Sequence, residues 1–131
     1  MRVIDSSVLA AFILKEPGWE RLTGHLVGVT LDIAFLEASN AIVKALRRGR
    51  IDSVDASIMF SALSKLKTMR VESGIRFLEQ SMEIAFKSRL TIYDALFVAL
   101  ARETKLPLVT LDRMQHDEAV KLGVPSTLLV P

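Results

Sequence analysis

The chain has 131 residues, 50% of them hydrophobic and 24% charged, with a formal net charge of +2. That length and apolar share suit one domain, 1–131, with its own core, and exclude intrinsic disorder. There is no Cys, which excludes a disulfide scaffold, a Cys-ligated metal and a thiol nucleophile.

Taken in chain order, Arg2–Asp5 is a short apolar run that predicts a buried strand, followed by Ser6-Ser7 as a helix cap. Val8–Leu14 predicts a first helix, stopped by Pro17-Gly18, and Trp19–Val27 a second. Gly28–Leu31 predicts a strand, with Asp32 placed to cap the long helix Ile33–Arg48. Gly49 closes that helix, with Lys44, Arg47 and Arg48 in its last turns where cations suit the dipole.

Ser53–Lys67 carries Val54, Ile58, Met59, Ala62, Leu63 and Leu66 at helical spacing, an apolar stripe of a helix. Met69–Val71 predicts a third strand and Ile75–Phe86 a fifth helix. Thr91–Thr104 predicts a sixth helix, Pro107–Leu111 a strand, Met114–Leu122 a helix ended by Gly123, and Ser126–Val130 a last strand. Strands alternating with helices predict an α/β fold, three layers built on a mostly parallel sheet. The longest uncharged runs, Leu22–Leu31 and Leu122–Pro131, have ten residues each, where a spanning helix needs about 20. Asp5 arrives before an export segment could begin, so a cytoplasmic location is expected.

Ligands of an open α/β sheet bind at the carboxyl ends of its strands. Four acids fall on that edge. Asp5 ends the first strand and Asp112 the strand Leu-Val-Thr-Leu-Asp. Glu37 lies early in the helix after the second strand, within Ala34-Phe35-Leu36-Glu37-Ala38. Asp94 lies in the first turn of the sixth helix, within Ile92-Tyr93-Asp94-Ala95-Leu96-Phe97. Gathered carboxylates repel unless a cation sits between them, and hard oxygen ligands without His or Cys suit Mg²⁺ or Mn²⁺. Such a cluster can activate water against a phosphodiester. Taken singly, Asp94 also reads as a capping partner of Thr91, Asp5 as a turn residue and Asp112 as a helix cap. Those readings leave unexplained why all four share one edge. Phosphate-binding glycine loops and a Gly-x-Ser-x-Gly elbow are absent from the sequence.

Val-Ile-Asp5-Ser6-Ser7, Leu36-Glu37-Ala-Ser-Asn40, Tyr93-Asp94-Ala95-Leu96 and Val-Thr110-Leu-Asp112 resemble, in order, the four motifs of PIN-domain nucleases. The resemblance runs from Asp5 to the C-terminus and is nearest to the VapC-type toxins of type II toxin–antitoxin pairs. It implies a PIN-like α/β/α fold with a parallel five-stranded sheet and Mg²⁺- or Mn²⁺-dependent cleavage of RNA. A homodimer and a cognate antitoxin protein follow as partners. It maps the catalytic and metal-binding positions onto Asp5, Glu37, Asp94 and Asp112, and supporting polar positions onto Ser6, Asn40 and Thr110.

The remaining candidates read more simply. His25 and His116 fall off the strand-end edge, and Asp117 reads as a solvated helix residue. Asp32 reads as a helix cap near the edge and as a reserve ligand. Lys44 and Arg48 share the Glu37 face of their helix, about 10 and 16 Å further along. They suit dipole compensation, with an RNA track as the alternative. Setting the four site acids aside leaves eleven acids against 17 basic residues, a surplus that suits a polyanion and solubility equally. The apolar faces of Val8–Leu14, Trp19–Val27 and Ser53–Lys67 read either as ordinary core or as a groove for a partner. Two rival functions are a phosphoryl-receiver domain and an inactive PIN fold serving as a binding module. The receiver would want a Lys after the last strand, where Leu128-Leu-Val-Pro131 has none, and the inactive fold should have lost an acid.

Overall fold

The computed structural model describes residues 1–130; Pro131, the last residue of the expected domain, lies outside them. Five strands, β1 (Val3–Ile4), β2 (Gly28–Leu31), β3 (Met69–Glu72), β4 (Leu108–Thr110) and β5 (Ser126–Leu128), form one sheet in the order β3-β2-β1-β4-β5. Every pairing is parallel. Among the described residues six α-helices connect them: α1 (Ser6–Ile13), α2 (Asp32–Arg47), α3 (Ser53–Lys65), α4 (Leu78–Phe86), α5 (Ile92–Thr104) and α6 (Arg113–Lys121). Short 3₁₀ segments occupy Trp19–His25 and Gly74–Phe77. Among the described residues no helix is long and apolar enough to cross a membrane.

The chain runs outward from β1 through β2 to β3, then returns across the sheet to β4 and β5. Right-handed crossovers therefore place α1–α3 on one face and α4–α6 on the other. The order reverses at β1 and β4, and at such a switch point the connections diverge and open a crevice at the strand ends. The core fills both faces. Val3, Ile4, Val29, Leu31 and Leu108 of the sheet are fully buried, and α5 buries seven consecutive residues, Ala95–Ala101. A helix buried on all sides needs apolar residues all round, which is what Ala-Leu-Phe-Val-Ala-Leu-Ala supplies.

Local signals mostly end the elements where expected. Gly49 follows α2 with φ +72°, and the Arg50 amide returns to the Ala45 carbonyl at 2.9 Å. This is the left-handed closure that glycine permits. Gly123 does the same after α6, with φ +80°.

Four local expectations are corrected. Asp5, not Ser6-Ser7, caps α1, because its side chain accepts from the Val8 amide. Leu31, not Asp32, is the cap residue of α2, and Asp32 instead accepts from the Gly74 amide at 2.9 Å. The expected helix Trp19–Val27 is a 3₁₀ segment, and Ile75–Phe86 divides into 3₁₀ and α portions. The α3 stripe, open in the sequence between core and partner groove, divides: Leu63 is buried and Met59 and Leu66 pack against the core, while Val54 and Ile58 are exposed. By contrast Val8, Leu9, Ile13 and Leu22 are ordinary core.

Gly28 starts β2 against β1, and a Cβ there would collide with the Arg2 carbonyl oxygen. That oxygen also accepts from the Val29 amide at 2.9 Å, so it has little freedom to retreat. Gly28→Ala should cost about 3 kcal/mol as an overpacking strain on fixed backbone. A chemical denaturation curve with an unchanged midpoint would contradict this close approach.

Candidate metal-binding active site

Asp5 emerges from the central strand and is 3% exposed. Its Oδ1 accepts from Ser7 Oγ at 2.6 Å and from the Val8 amide at 3.2 Å. Its Oδ2 faces Thr110 Oγ1, on neighbouring β4, at 2.6 Å. The Ser7 hydroxyl also accepts from the Leu111 amide at 3.0 Å, and Thr110 Oγ1 accepts from the Asp112 amide at 3.0 Å. One carboxylate thus ties the ends of β1 and β4 to the start of α1.

Asp112 caps α6, accepting from the Gln115 amide at 3.2 Å. Asp94 sits one turn into α5, behind the cap residue Thr91, whose hydroxyl accepts from the Asp94 amide at 3.3 Å. Glu37, in the second turn of α2, accepts from Ser6 Oγ at 2.7 Å. The turn before α5 is held in place by buried Glu118. Its Oε1 accepts from the Arg89 amide at 2.8 Å, and Arg89 Nε and Lys121 Nζ pair with the same carboxylate.

All four predicted acids line a single cleft of about 230 Å³ together with Ser6, Ser7 and Ala10. Among the described residues no basic side chain lines it. Burial pushes the Asp5 carboxyl up to about 6, against the opposing hydrogen bonds of Ser7, Thr110 and Val8, with Asp94's charge adding to the rise. Burial also raises Asp94, reinforced by the charges of Asp112 and Glu37. Of the supporting positions, Ser6 and Thr110 touch site carboxylates, whereas Asn40 is exposed and makes no side-chain hydrogen bond among the described residues. Asp32 is held at Gly74 and does not line the cleft. His25 pairs with Arg2 and His116 with Ser126; neither reaches the cleft, nor does Asp117.

Two residues were missed in the sequence. Ser7 bonds Asp5 directly. Gln115 is fully buried and takes part in three hydrogen bonds. Its Oε1 lies 3.0 Å from Thr110 Oγ1, its Nε2 donates to the Asp94 carbonyl at 3.0 Å, and its amide donates to Asp112. Gln115 sits in a polar run where nothing in the sequence distinguishes it from a solvated helix residue. The signal that could have found Ser7 is its position two residues after a strand-end Asp, the reach of an Asx-type contact.

The donor set is four carboxylates and neighbouring hydroxyls, with no nitrogen or sulfur, which matches a hard divalent cation. The raised carboxyls of Asp5 and Asp94 fit the same reading, since a cation would favour the charged forms that burial, and secondarily the neighbouring carboxylates, disfavour. In the observed side-chain positions no three of these groups stand close enough to enclose one ion among the described residues.

The family model for the PIN domain matches residues 2–121. The chain belongs to the PIN-domain family. Within that family it is similar to Ribonuclease VapC3 of Pyrobaculum aerophilum, 33% identical over 128 residues that cover 94% of this chain and 98% of that one. Exonuclease VapC9 of the same organism is 31% identical over 112 residues, covering 85% and 80% respectively. A crystal structure of the Pyrobaculum aerophilum protein PAE2754 superposes with a TM-score of 0.69 at 26% identity, over 93% of this chain and 96% of that one. The five-stranded parallel sheet with helices on both faces is the PIN-like fold that the motifs implied.

Thr110 Oγ1 has one proton and two acceptors facing it, Asp5 Oδ2 and Gln115 Oε1. A protonated Asp5 resolves the conflict by donating to Thr110, which then donates to Gln115. An Asn at position 5 can do the same through its amide. Because the folded Asp5 holds its proton up to about 6, against 3.8 ordinarily, its contribution to stability is full below about 4 and lost as pH rises through 6. Asp5→Asn, which cannot ionise, should therefore gain up to about 3 kcal/mol at pH 8 and nearly nothing at pH 4. Melting curves in EDTA at the two pH values check this; an equal difference at both would refute it.

Proposed function

We propose that this chain is a metal-dependent ribonuclease that cuts RNA internally, and that it is the toxin of a VapBC-type pair. The observation carrying this reading is the cleft itself, where four carboxylates from β1, α2, α5 and the end of β4 face one another without a basic partner. Asp5, Asp94 and Asp112, with Glu37, would hold Mg²⁺ or Mn²⁺. When bound, the ion lowers the pKa of coordinated water and neutralises charge on the phosphodiester.

The chain's own residues prepare the site. Ser7 and Thr110 fix the Asp5 carboxylate, Gln115 fixes the first turn of α5 through the Asp94 carbonyl, and Ser6 orients Glu37 by its Oε1. Glu37 Oε2 makes no hydrogen bond among the described residues and is the acceptor for the attacking water's proton. No His or Cys nucleophile is needed.

Circular RNA separates internal cutting from the exonuclease activity in the name of one relative. Wild type with Mn²⁺ should linearise it, EDTA should stop the reaction, and Asp94→Asn should slow it by roughly two orders of magnitude or more. Cleavage by Asp94→Asn at the wild-type rate, or cleavage of linear RNA only, would overturn the reading.

The domain is proposed to span 1–131, to work in the cytoplasm, and to act as a homodimer. Support for the dimer is an unpartnered stripe: Ile75, Leu78, Met82 and Phe86 are all exposed, Ile75 and Phe86 by 81% and 82%. Their spacing puts them on one side of α4 and its 3₁₀ lead-in. Such a row is expensive to leave in water and suits a two-fold contact with its own copy. A separate apolar cleft of about 490 Å³ between α2 and α3, lined by Phe35, Phe60 and Leu63, offers a seat for an antitoxin segment. Phe86→Glu should convert the dimer to a monomer by light scattering without shifting the circular dichroism spectrum. A dimer unaffected by that change would place the contact elsewhere.

A further inference from the structure

A second depression, of about 280 Å³, runs between α1 and α2. It is continuous with the carboxylate cleft, because Ser7 and Ala10 line both. Ala10, Ala11, Ala41 and Ala45 form its floor, and Lys44, Arg48 and Arg50 its rim. Among the described residues Glu16 is the only acid lining it, and Arg50 pairs with it at 3.4 Å. Lys44 and Arg48 make no ion pair among the described residues. Dipole compensation would account for cations at the end of α2, but it would be served equally by Arg47, which does not line the groove. It does not account for two unpaired cations facing a trough of small side chains that opens into the active-site cleft.

We infer that this groove holds the RNA strand leading away from the point of cleavage, with Lys44 and Arg48 on successive phosphates and the alanine floor under sugar and base. The inference rests on the ribonuclease reading above. Lys44 and Arg48 lie about 10 and 16 Å along α2 from Glu37, so they engage nucleotides beyond the one being cut. They are binding residues, remote from the reacting atoms. An acidic protein segment is the competing occupant, but the groove's continuity with a phosphodiester-cleaving cleft favours a nucleic acid.

The test measures binding of a labelled single-stranded RNA of about 15 nucleotides to the full chain in an Asp94→Asn background. Lys44→Gln/Arg48→Gln should weaken binding by about tenfold or more. It should also flatten the dependence of log K on log salt by about 1.4, the share of two phosphate contacts on a single strand. Gln keeps helix propensity near that of Lys and Arg, and Arg47→Gln controls for charge and dipole at the same helix end. In the Asp94-intact protein the double variant should lower kcat/KM for the long RNA mainly by raising KM.

Unchanged affinity and salt slope in the double variant, or equal loss with Arg47→Gln, would overturn the groove assignment and leave the ribonuclease reading standing. Loss of binding to a polyglutamate peptide with RNA affinity intact would assign the groove to an acidic partner and also overturn it. Absence of RNA cleavage by wild type together with absence of RNA binding in the Asp94→Asn background would defeat the ribonuclease reading itself, and this inference with it.

Discussion

The site hangs on a single buried carboxylate. Asp5 spends both oxygens on hydrogen bonds at the point where the sheet order reverses: one to Ser7 and the Val8 amide, the other toward Thr110. Without those partners, a charge 3% exposed would be among the most costly features of so small a core. With them, the same residue ends a strand, starts a helix and joins β1 to β4. The hydrogen bonds oppose the burial without overcoming it, and this is why the carboxyl rises despite three donors around it.

From that point the site is assembled by helix starts. Asp112 caps α6, and Asp94 follows the cap of α5. The positive end of each helix dipole therefore faces the cleft, giving the carboxylates partial compensation from backbone rather than from Lys or Arg. That arrangement keeps the cleft free of side-chain cations that would compete with a metal. It also leaves Asp94 exposed to the charges of Asp112 and Glu37, so charge repulsion is retained at the place where it is useful.

Much of this was legible in the sequence, because strand ends and helix starts leave local marks. An apolar run broken by an acid gave Asp5 and Asp112, and acids inside apolar helical stretches gave Glu37 and Asp94. The reversal of sheet order then brings all four to one cleft. The capping assignments were less legible. By sequence Asp5 reads as a site residue and Ser6-Ser7 as the cap, while one carboxylate does both jobs. Asp32 looked like a cap by position, yet a contact 42 residues away with the Gly74 amide claims its side chain. Gln115 was invisible for a related reason. Its burial is decided by the packing of α6 under β4 and α5, and a polar residue in a polar run carries no local trace of that. On α3 the apolar spacing leaves core and partner groove open, because spacing says only that residues share a face, not what covers it. Val54 and Ile58 share a face that lies open.

Gln115 reaches α5 through the main-chain carbonyl of Asp94 and not through its side chain. The helix start is thus anchored independently of whatever side chain position 94 carries. Shape and charge are separable at this position, so a chain could drift to Asn, Ser or Ala there with its backbone held in the same place. An ancestral exchange of catalysis for pure binding would then need no rebuilding of the scaffold, and the silent member so produced would still look, by shape alone, like an enzyme.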